Sequence, residues 1–292
     1  MRSNNKKSED KIEHVSDTAL MVAACRAMET AEPEGFIRDP FADRLAGERG
    51  MAIARGMPIL EWMRFGVGIR AKFIDEILMD TLREGQIKIV LNLGSGLDTR
   101  PWRLELPSTL RWVEADFPAM MEYKREKLAD ARPNCRLEQV PADLSDARQR
   151  QKVFETVGAE EALMITEGLL MYLPRAGILE LAARAPQASG LRHWLLDVVS
   201  EEMLRMSAGA NQSEVDELRP KDHLVGQAIL DAATENGWTI TKKRTYAEGG
   251  AAASPARSRK LGELIVKYTG PSSVPKDDAV SGIYLLTRDG GR

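Results

Sequence analysis

The segment of this chain best suited to hold a ligand is Leu91-Asn92-Leu93-Gly94-Ser95-Gly96-Leu97-Asp98-Thr99-Arg100. Two glycines one residue apart permit a tight turn and let a ligand approach the backbone closely. A dinucleotide fingerprint would place a third glycine where this chain has Thr99, and an ordinary strand–turn–helix connection uses the same glycines. An acid follows about 20 residues on, the spacing at which a carboxylate accepts hydrogen bonds from ribose hydroxyls. Asp116 ends the run LRWVEAD, and Phe117-Pro118 then opens a helix. Glu114 is a rival on the same side of that strand, set deeper in a sheet. Asp116 also stands where a helix N-cap would.

Two further segments share this pattern of a strand ending in an acid. In Ala142-Asp143-Leu144-Ser145-Asp146, Asp143 can accept from an exocyclic amine such as adenine N6 while Leu144 packs on the base; Asp and Ser are equally common turn residues. In Ile165-Thr166-Glu167-Gly168-Leu169-Leu170-Met171-Tyr172-Leu173-Pro174, a carboxylate and a glycine lead into an apolar stretch. Ligands of open α/β sheets bind outside the carboxyl ends of the strands. Gly94, Asp116, Asp143 and Glu167 all fall at such ends, which implies a nucleoside-like ligand with a charged tail.

These groups need a sheet to bring them together. IKIVLNL (87–93) is a short, nearly continuous apolar run, as in strands buried on both faces of a parallel sheet. Similar runs recur at 110–116, 135–140, 161–166, 192–199, 238–244 and 282–288. Helical stretches lie between them, from Pro118 to about Ala131 and over 174–185 and 222–236. The alternation predicts an α/β fold: a doubly wound, mostly parallel seven-stranded sheet with helices on both faces. Before it, residues 1–84 read as a helical cap. One helix covers TALMVAACRAMET with Ser16 or Asp17 as its cap, a second opens at Asp39-Pro40, and a third runs from about Pro58 to Arg83. Residues 85–292 then form the sheet domain, with an insertion near 247–281 in which GELIVKY (262–268) reads as a strand.

With 292 residues, 43% hydrophobic and 29% charged, the chain has ample material for a core. The 41 Lys+Arg against 44 Asp+Glu give a net charge of −3, which argues against a general nucleic-acid binder. Cys25 and Cys135 are too few for a disulfide scaffold or a Cys-rich zinc site, and His14, His193 and His223 have no metal-ligand spacing, so no metal is expected. The best N-terminal apolar run is interrupted by Arg26 and Glu29, so no membrane span is expected, and Met1 to Asp10 reads as a loose tail. A cytoplasmic protein with reduced thiols is the expectation.

Several ordered blocks carry a resemblance to a known family: SDTALMVAACRAMET, DPFADRLAG (39–47), IRAKFID (69–75), VLNLGSGLDTRPWRL (90–104), VEADFP (113–118), ADLSD (142–146) and TEGLLMYLP (166–174). The chain resembles class I S-adenosylmethionine-dependent methyltransferases of the leucine carboxyl methyltransferase group, and within it the bacterial branch that holds provisionally assigned methyltransferases and polyketide O-methyltransferases. The resemblance implies a Rossmann-like class I methyltransferase fold with S-adenosylmethionine as cofactor. It implies that Arg70 pairs with the carboxylate of the methionine moiety, Gly94 lies beneath that moiety, Asp116 holds the ribose, Asp143 and Leu144 flank the adenine, and Glu167 approaches the amino group. Without the resemblance, Arg70 reads as a solvated helix residue. The chain departs from the family at Asp17, where an arginine is usual, and at Ala71, where a threonine is usual.

Methyl transfer from a sulfonium is a direct displacement that depends on positioning and desolvation. A carboxylate acceptor needs no general base; a hydroxyl does. Tyr172 is the candidate catalytic residue beside the acceptor. Met57, Trp62, Met63 and Phe65 are candidates to line the acceptor pocket, although core packing is the commoner use of such residues. The expected acceptor is a small molecule, because no charged recognition strip for a protein tail stands out. The competing readings are an NAD(P)-dependent oxidoreductase, which would want glycine at position 99, and a non-catalytic cofactor-fold binding protein.

Overall fold

The computed structural model describes residues 15–184, 190–207, 218–269 and 280–288. The N-terminal tail read from Met1 to Asp10 lies outside them. The chain forms two compact units, one of Met1–Phe73, Val199–Leu218 and Arg244–Gly282, the other of Ile74–Val198, Arg219–Lys243 and Ile283–Arg292.

The second unit is built on the expected sheet. Its strands are β1 (Ile89–Leu93), β2 (Arg111–Asp116), β3 (Arg136–Pro141), β4 (Ala162–Thr166), β5 (Leu191–Val198), β6 (Thr239–Thr245) and β7 (Gly282–Thr287), in the order β3-β2-β1-β4-β5-β7-β6. β1 pairs in parallel with β2 and β4, β2 with β3, and β4 with β5. Every residue of β1 and β4 is buried, as runs without alternation demand of strands covered on both faces. Just past β7, the Arg288 amide donates to the Arg192 carbonyl near the start of β5 (3.0 Å), so β7 runs opposite to β5. The chain reverses direction across the sheet between β1 and β4, and the carboxyl ends of β1, β2 and β4 therefore share one rim at a topological switch point.

The sheet buries an ion pair behind that rim. Glu114 on β2 is fully buried and accepts from Lys124 Nζ at 2.6 Å and from Gln139 Nε2 at 3.2 Å. Lys124, itself 1% exposed, comes from α5 (Pro118–Lys127) and also lies 5.2 Å from the centroid of the Trp102 ring. Burial pushes the Glu114 carboxyl up, against the pull of Lys124.

The first unit holds α1 (Val15–Ala31), α2 (Ala42–Gly56), the first turns of α3 (Leu60–Glu84), α8 (Glu201–Ser207), α10 (Tyr246–Ala251) and α11 (Pro255–Thr269), while α7 (Arg175–Arg184) and α9 (Gln227–Glu235) belong to the second. Asp17 lies inside the first turn of α1 rather than capping it, and its carboxylate takes both Nε and Nη2 of Arg49 at 2.7 Å. The departure at position 17 thus supplies a bidentate tie between α1 and α2. Asp39 does not cap a helix at Pro40: α2 begins at Ala42, because the buried Asp39 carboxylate is taken up by Arg26 Nε (2.9 Å) and the Phe41 amide (3.1 Å). Ala71 is buried, leaving no room to regard it as a surface change.

Residues 262–268 are helical, not a strand. Ser254-Pro255 is the start signal that the strand reading overlooked: the Ser254 hydroxyl accepts from the Arg257 amide (3.4 Å) and Pro255 occupies the first helical position. Arg257 then fixes the helix. Its guanidinium stacks on Phe36 (4.4 Å) and Phe65 (4.6 Å) and donates to the fully buried Glu29 at 2.7 Å, which Arg64 also meets. Phe65 is thereby committed to this stack. Gly249 lets α10 press against α3, since a Cβ there would lie 2.3 Å from Ile69.

Lys124→Met should destabilise the protein by about 3–5 kcal/mol, because it leaves Glu114 buried without its cation. Glu114→Gln combined with Lys124→Met should recover most of that loss. Chemical denaturation of the three chains checks the order.

Candidate functional site

The glycine turn leaves β1 in a conformation that side chains resist. Gly94 has φ +64° and Gly96 φ +46°, and the Gly94 amide donates to the Ala115 carbonyl of β2 at 2.8 Å. A Cβ on Gly94 would lie 2.8 Å from Leu169 Cδ1, so the segment after β4 closes directly over the turn. Ser95 Oγ is buried in this turn without a hydrogen-bond partner.

Asp116 ends β2 against the same turn. Its Oδ2 accepts the Gly96 amide at 2.6 Å and its Oδ1 the Phe117 amide at 2.7 Å. The N-cap residue of α5 is Phe117, so Asp116 does not serve as that cap. Burial lifts the Asp116 carboxyl above the ordinary aspartate range, partly offset by those two amides and by Lys124. Of the two carboxylates on this strand, Glu114 is bound to Lys124 inside the sheet and Asp116 sits at the rim.

Asp143 follows β3. Its Oδ1 accepts the Ser145 amide (2.8 Å) and hydroxyl (2.7 Å), the local turn that its residue type allows, while Leu144 beside it is buried. Asp146 caps α6 (Ala147–Glu155) by accepting the Arg148 amide at 2.8 Å.

Glu167 follows β4 and is part of a charge cluster. Arg100, at the start of α4 (Arg100–Arg103), is 2% exposed. Its Nη1 donates to Glu167 Oε2 (2.7 Å) and Asp98 Oδ2 (3.1 Å), and its Nε to Asp75 Oδ1 (2.7 Å). Arg103 grips both oxygens of Asp75 at 2.6 and 2.8 Å, and Asn92 on β1 donates to Asp98 at 2.8 Å. Burial pulls the Arg100 guanidinium down, but Asp98, Glu167 and Asp75 together hold it well above its ordinary value. Gly168 follows in the left-handed region at φ +65°, its amide held by the buried Asp197 carboxylate at 2.7 Å.

The rim of the second unit therefore gathers Gly94, Asp116, Asp143, Leu144 and Glu167. Arg70 lies half-buried on α3 in the first unit. Tyr172 is half-buried in a short 3-10 turn, Leu170–Tyr172, that follows Glu167. Sequence reasoning missed Asp75, Asp98, Arg100 and Asp197. Asp98 and Arg100 stand in the glycine-turn block, two residues apart, but nothing in their spacing names partners on α3 or β4. Cys25 and Cys135 are both buried, and burial pushes each thiol up to about 12, so neither is a ready nucleophile.

A seven-stranded, mostly parallel sheet with a glycine turn and a carboxylate on adjacent strand ends is the class I methyltransferase fold. A solved structure of a provisionally assigned methyltransferase from Thermobifida fusca YX shares it, with a TM-score of 0.54 over 100% of this chain and 99% of that one, at 14% identity. The family model described as leucine carboxyl methyltransferase matches residues 19–185, more than half of the chain. The chain belongs to the leucine carboxyl methyltransferase family, and it is a methyltransferase. A provisionally named S-adenosyl-L-methionine-dependent methyltransferase from Mycolicibacterium smegmatis is 37% identical over 177 residues, 55% of this chain and 58% of that relative, so the match spans little more than half of its length. Another, from Mycolicibacterium paratuberculosis, is 29% identical over 283 residues, 86% of this chain and 93% of the relative. Family membership selects the methyltransferase over the NAD(P)-dependent oxidoreductase. Among the described residues, no helix is long and apolar enough to cross a membrane.

Proposed function

We propose that this methyltransferase uses S-adenosylmethionine to methylate an oxygen, carboxylate or hydroxyl, of a small-molecule acceptor. The observation that carries the donor reading is the Gly96 amide on Asp116. One hydrogen bond locks the glycine turn of β1 to a rim carboxylate at the end of β2. The donor set fits the cofactor. Asp116 offers an anionic acceptor to a ribose diol, Leu144 an apolar surface to the base, and Glu167 a negative charge to an ammonium group. The orphaned Ser95 hydroxyl adds an unused donor in the turn. Arg70 keeps the role that the family resemblance gives it, pairing with the carboxylate of the methionine moiety.

When bound, S-adenosylmethionine supplies a sulfonium-borne methyl group that leaves as the sulfur becomes a neutral thioether. The protein's share is then to orient and to exclude water. A carboxylate acceptor arrives ionised and asks for no base. For a hydroxyl, Tyr172 is the group we place beside the acceptor to handle the proton. The small-molecule reading rests on the near-neutral charge of the chain, with 41 basic against 44 acidic residues and no strip of one sign for a macromolecule.

The ionised Asp116 is the form that accepts from a ribose. Because its carboxyl is raised, donor affinity should be full at neutral pH and fall as pH drops through a value above the ordinary aspartate range. Calorimetric titration with S-adenosylmethionine should show this, and Asp116→Ala should weaken binding roughly 10–100-fold at neutral pH. Affinity that ignores both pH and the substitution would remove Asp116 from the site.

The acceptor chemistry is tested with methyl-labelled donor and a panel of small carboxylic acids, phenols and alcohols. Oxygen methylation predicts labelled products, of which the esters release methanol in alkali and the ethers do not. Label found only on nitrogen, or only in macromolecules, would reject the proposed acceptor class.

A further inference from the structure

We infer that Arg100 is a positioning residue of this enzyme: it fixes the Glu167 carboxylate in the orientation that receives the donor's amino group. The inference rests on the reading of this rim as the S-adenosylmethionine site.

Glu167 stands at a strand end and precedes Gly168, whose backbone is in the left-handed region at φ +65°. A long side chain at such a junction has several rotamers to choose among, and a ligand that had to order it would lose affinity. Arg100 removes that choice by donating to Glu167 Oε2 at 2.7 Å. The guanidinium can do so because it is held from behind. Its Nε is anchored to Asp75, Asp75 is gripped through both oxygens by Arg103, and Arg103 Nε donates to Thr99 Oγ1 at 3.1 Å. Asp98 accepts both Nη1 and the Arg100 backbone amide, at 3.1 and 3.0 Å, and is itself tied to Asn92 in the fully buried β1. A guanidinium does not shed its proton in a protein, so this 2%-exposed charge keeps its carboxylates in place across the working pH range. One cation divided among three carboxylates orients Glu167 without taking over its charge.

The placement along the chain has a consequence. Arg100 begins α4 only four residues after Gly96, so the turn that meets the nucleoside end of the ligand also delivers the group that organises its tail end. Loss of Arg100 should therefore be felt by ligands that have an amino-acid tail and not by those that lack one.

The test is calorimetric binding of two ligands, S-adenosylmethionine and 5′-methylthioadenosine, to the wild type, Arg100→Ala, Arg100→Lys and Glu167→Gln, with thermal unfolding recorded beside it. The second ligand has the adenine and ribose but no amino-acid tail. For Arg100→Ala we expect S-adenosylmethionine to bind roughly 10–100-fold more weakly while 5′-methylthioadenosine stays within about twofold. Arg100→Lys keeps the buried charge but not the fork, and should lie between wild type and Arg100→Ala with the same selectivity for the tail. It carries the test should Arg100→Ala not fold. Adding Arg100→Ala to Glu167→Gln should cost little more than Glu167→Gln alone, since both act through one carboxylate. Equal losses for both ligands would mean that Arg100 merely braces the turn, and no loss for either would also overturn the inference; in both cases wild-type binding leaves the donor reading intact. A wild type that binds neither ligand would overturn the donor reading and the inference together.

Discussion

Arg100 is a permanent charge with almost no access to water, 2% exposed. Leaving such a group unpaired costs several kcal/mol, so the fold must bring it acceptors. It brings three, from three places far apart in sequence: Asp75 on α3, Asp98 after β1 and Glu167 after β4. Satisfying this one side chain sets the Asp75 turn of α3, the exit of β1 and the exit of β4 relative to one another. The remaining features of the rim then follow. Leu169, two residues past Glu167, closes over Gly94, and Gly168 is turned so that Asp197 on β5 can take its amide.

The two carboxylates of β2 show how burial separates roles. Glu114 and Asp116 point to the same side of one strand, two residues apart. The inner one is sealed inside the sheet by Lys124 and Gln139. The outer one reaches the end of the strand, where Gly96 and Phe117 amides meet it and a ligand can follow. Both are pushed up by burial. Only at the rim does that shift bear on binding, because only there does the carboxylate have another donor to receive.

The sheet was legible because its inner strands, buried on both faces, do not alternate; the edge strands β3 and β6 have no buried residue and were found by their place between helical stretches. The places of Gly94, Asp116, Asp143 and Glu167 just past or at strand ends were legible because strand ends in such a sheet share one rim. What the sequence hid were partners. Nothing in the pattern connects Arg100 to Asp75 or Asp17 to Arg49, since an ion pair between distant elements leaves no periodicity. The same limit explains residues 262–268: GELIVKY has the residue types of a strand, and its helical state is set by Ser254-Pro255 upstream and by Arg257 docking on Glu29, Phe36 and Phe65. Phe65, one of the pocket candidates, proves to be half of that stack. Asp39 was misplaced for a related reason: α2 begins at Ala42 with Phe41 as its N-cap residue, and the Asp39 carboxylate is shared between Arg26 and the Phe41 amide.

Methyl transfer asks the protein for placement more than for chemistry, and the second unit is arranged for placement: a glycine turn, a carboxylate fixed to it and a second carboxylate fixed to a locked guanidinium. The most direct test is a crystal structure of the protein with S-adenosylhomocysteine. Our account predicts the ribose hydroxyls on the Asp116 carboxylate, the adenine beside Leu144 and the amino group on Glu167, with Arg100 still holding Oε2. A ligand bound elsewhere, or one whose ribose leaves Asp116 engaged only by Gly96 and Phe117, would contradict it.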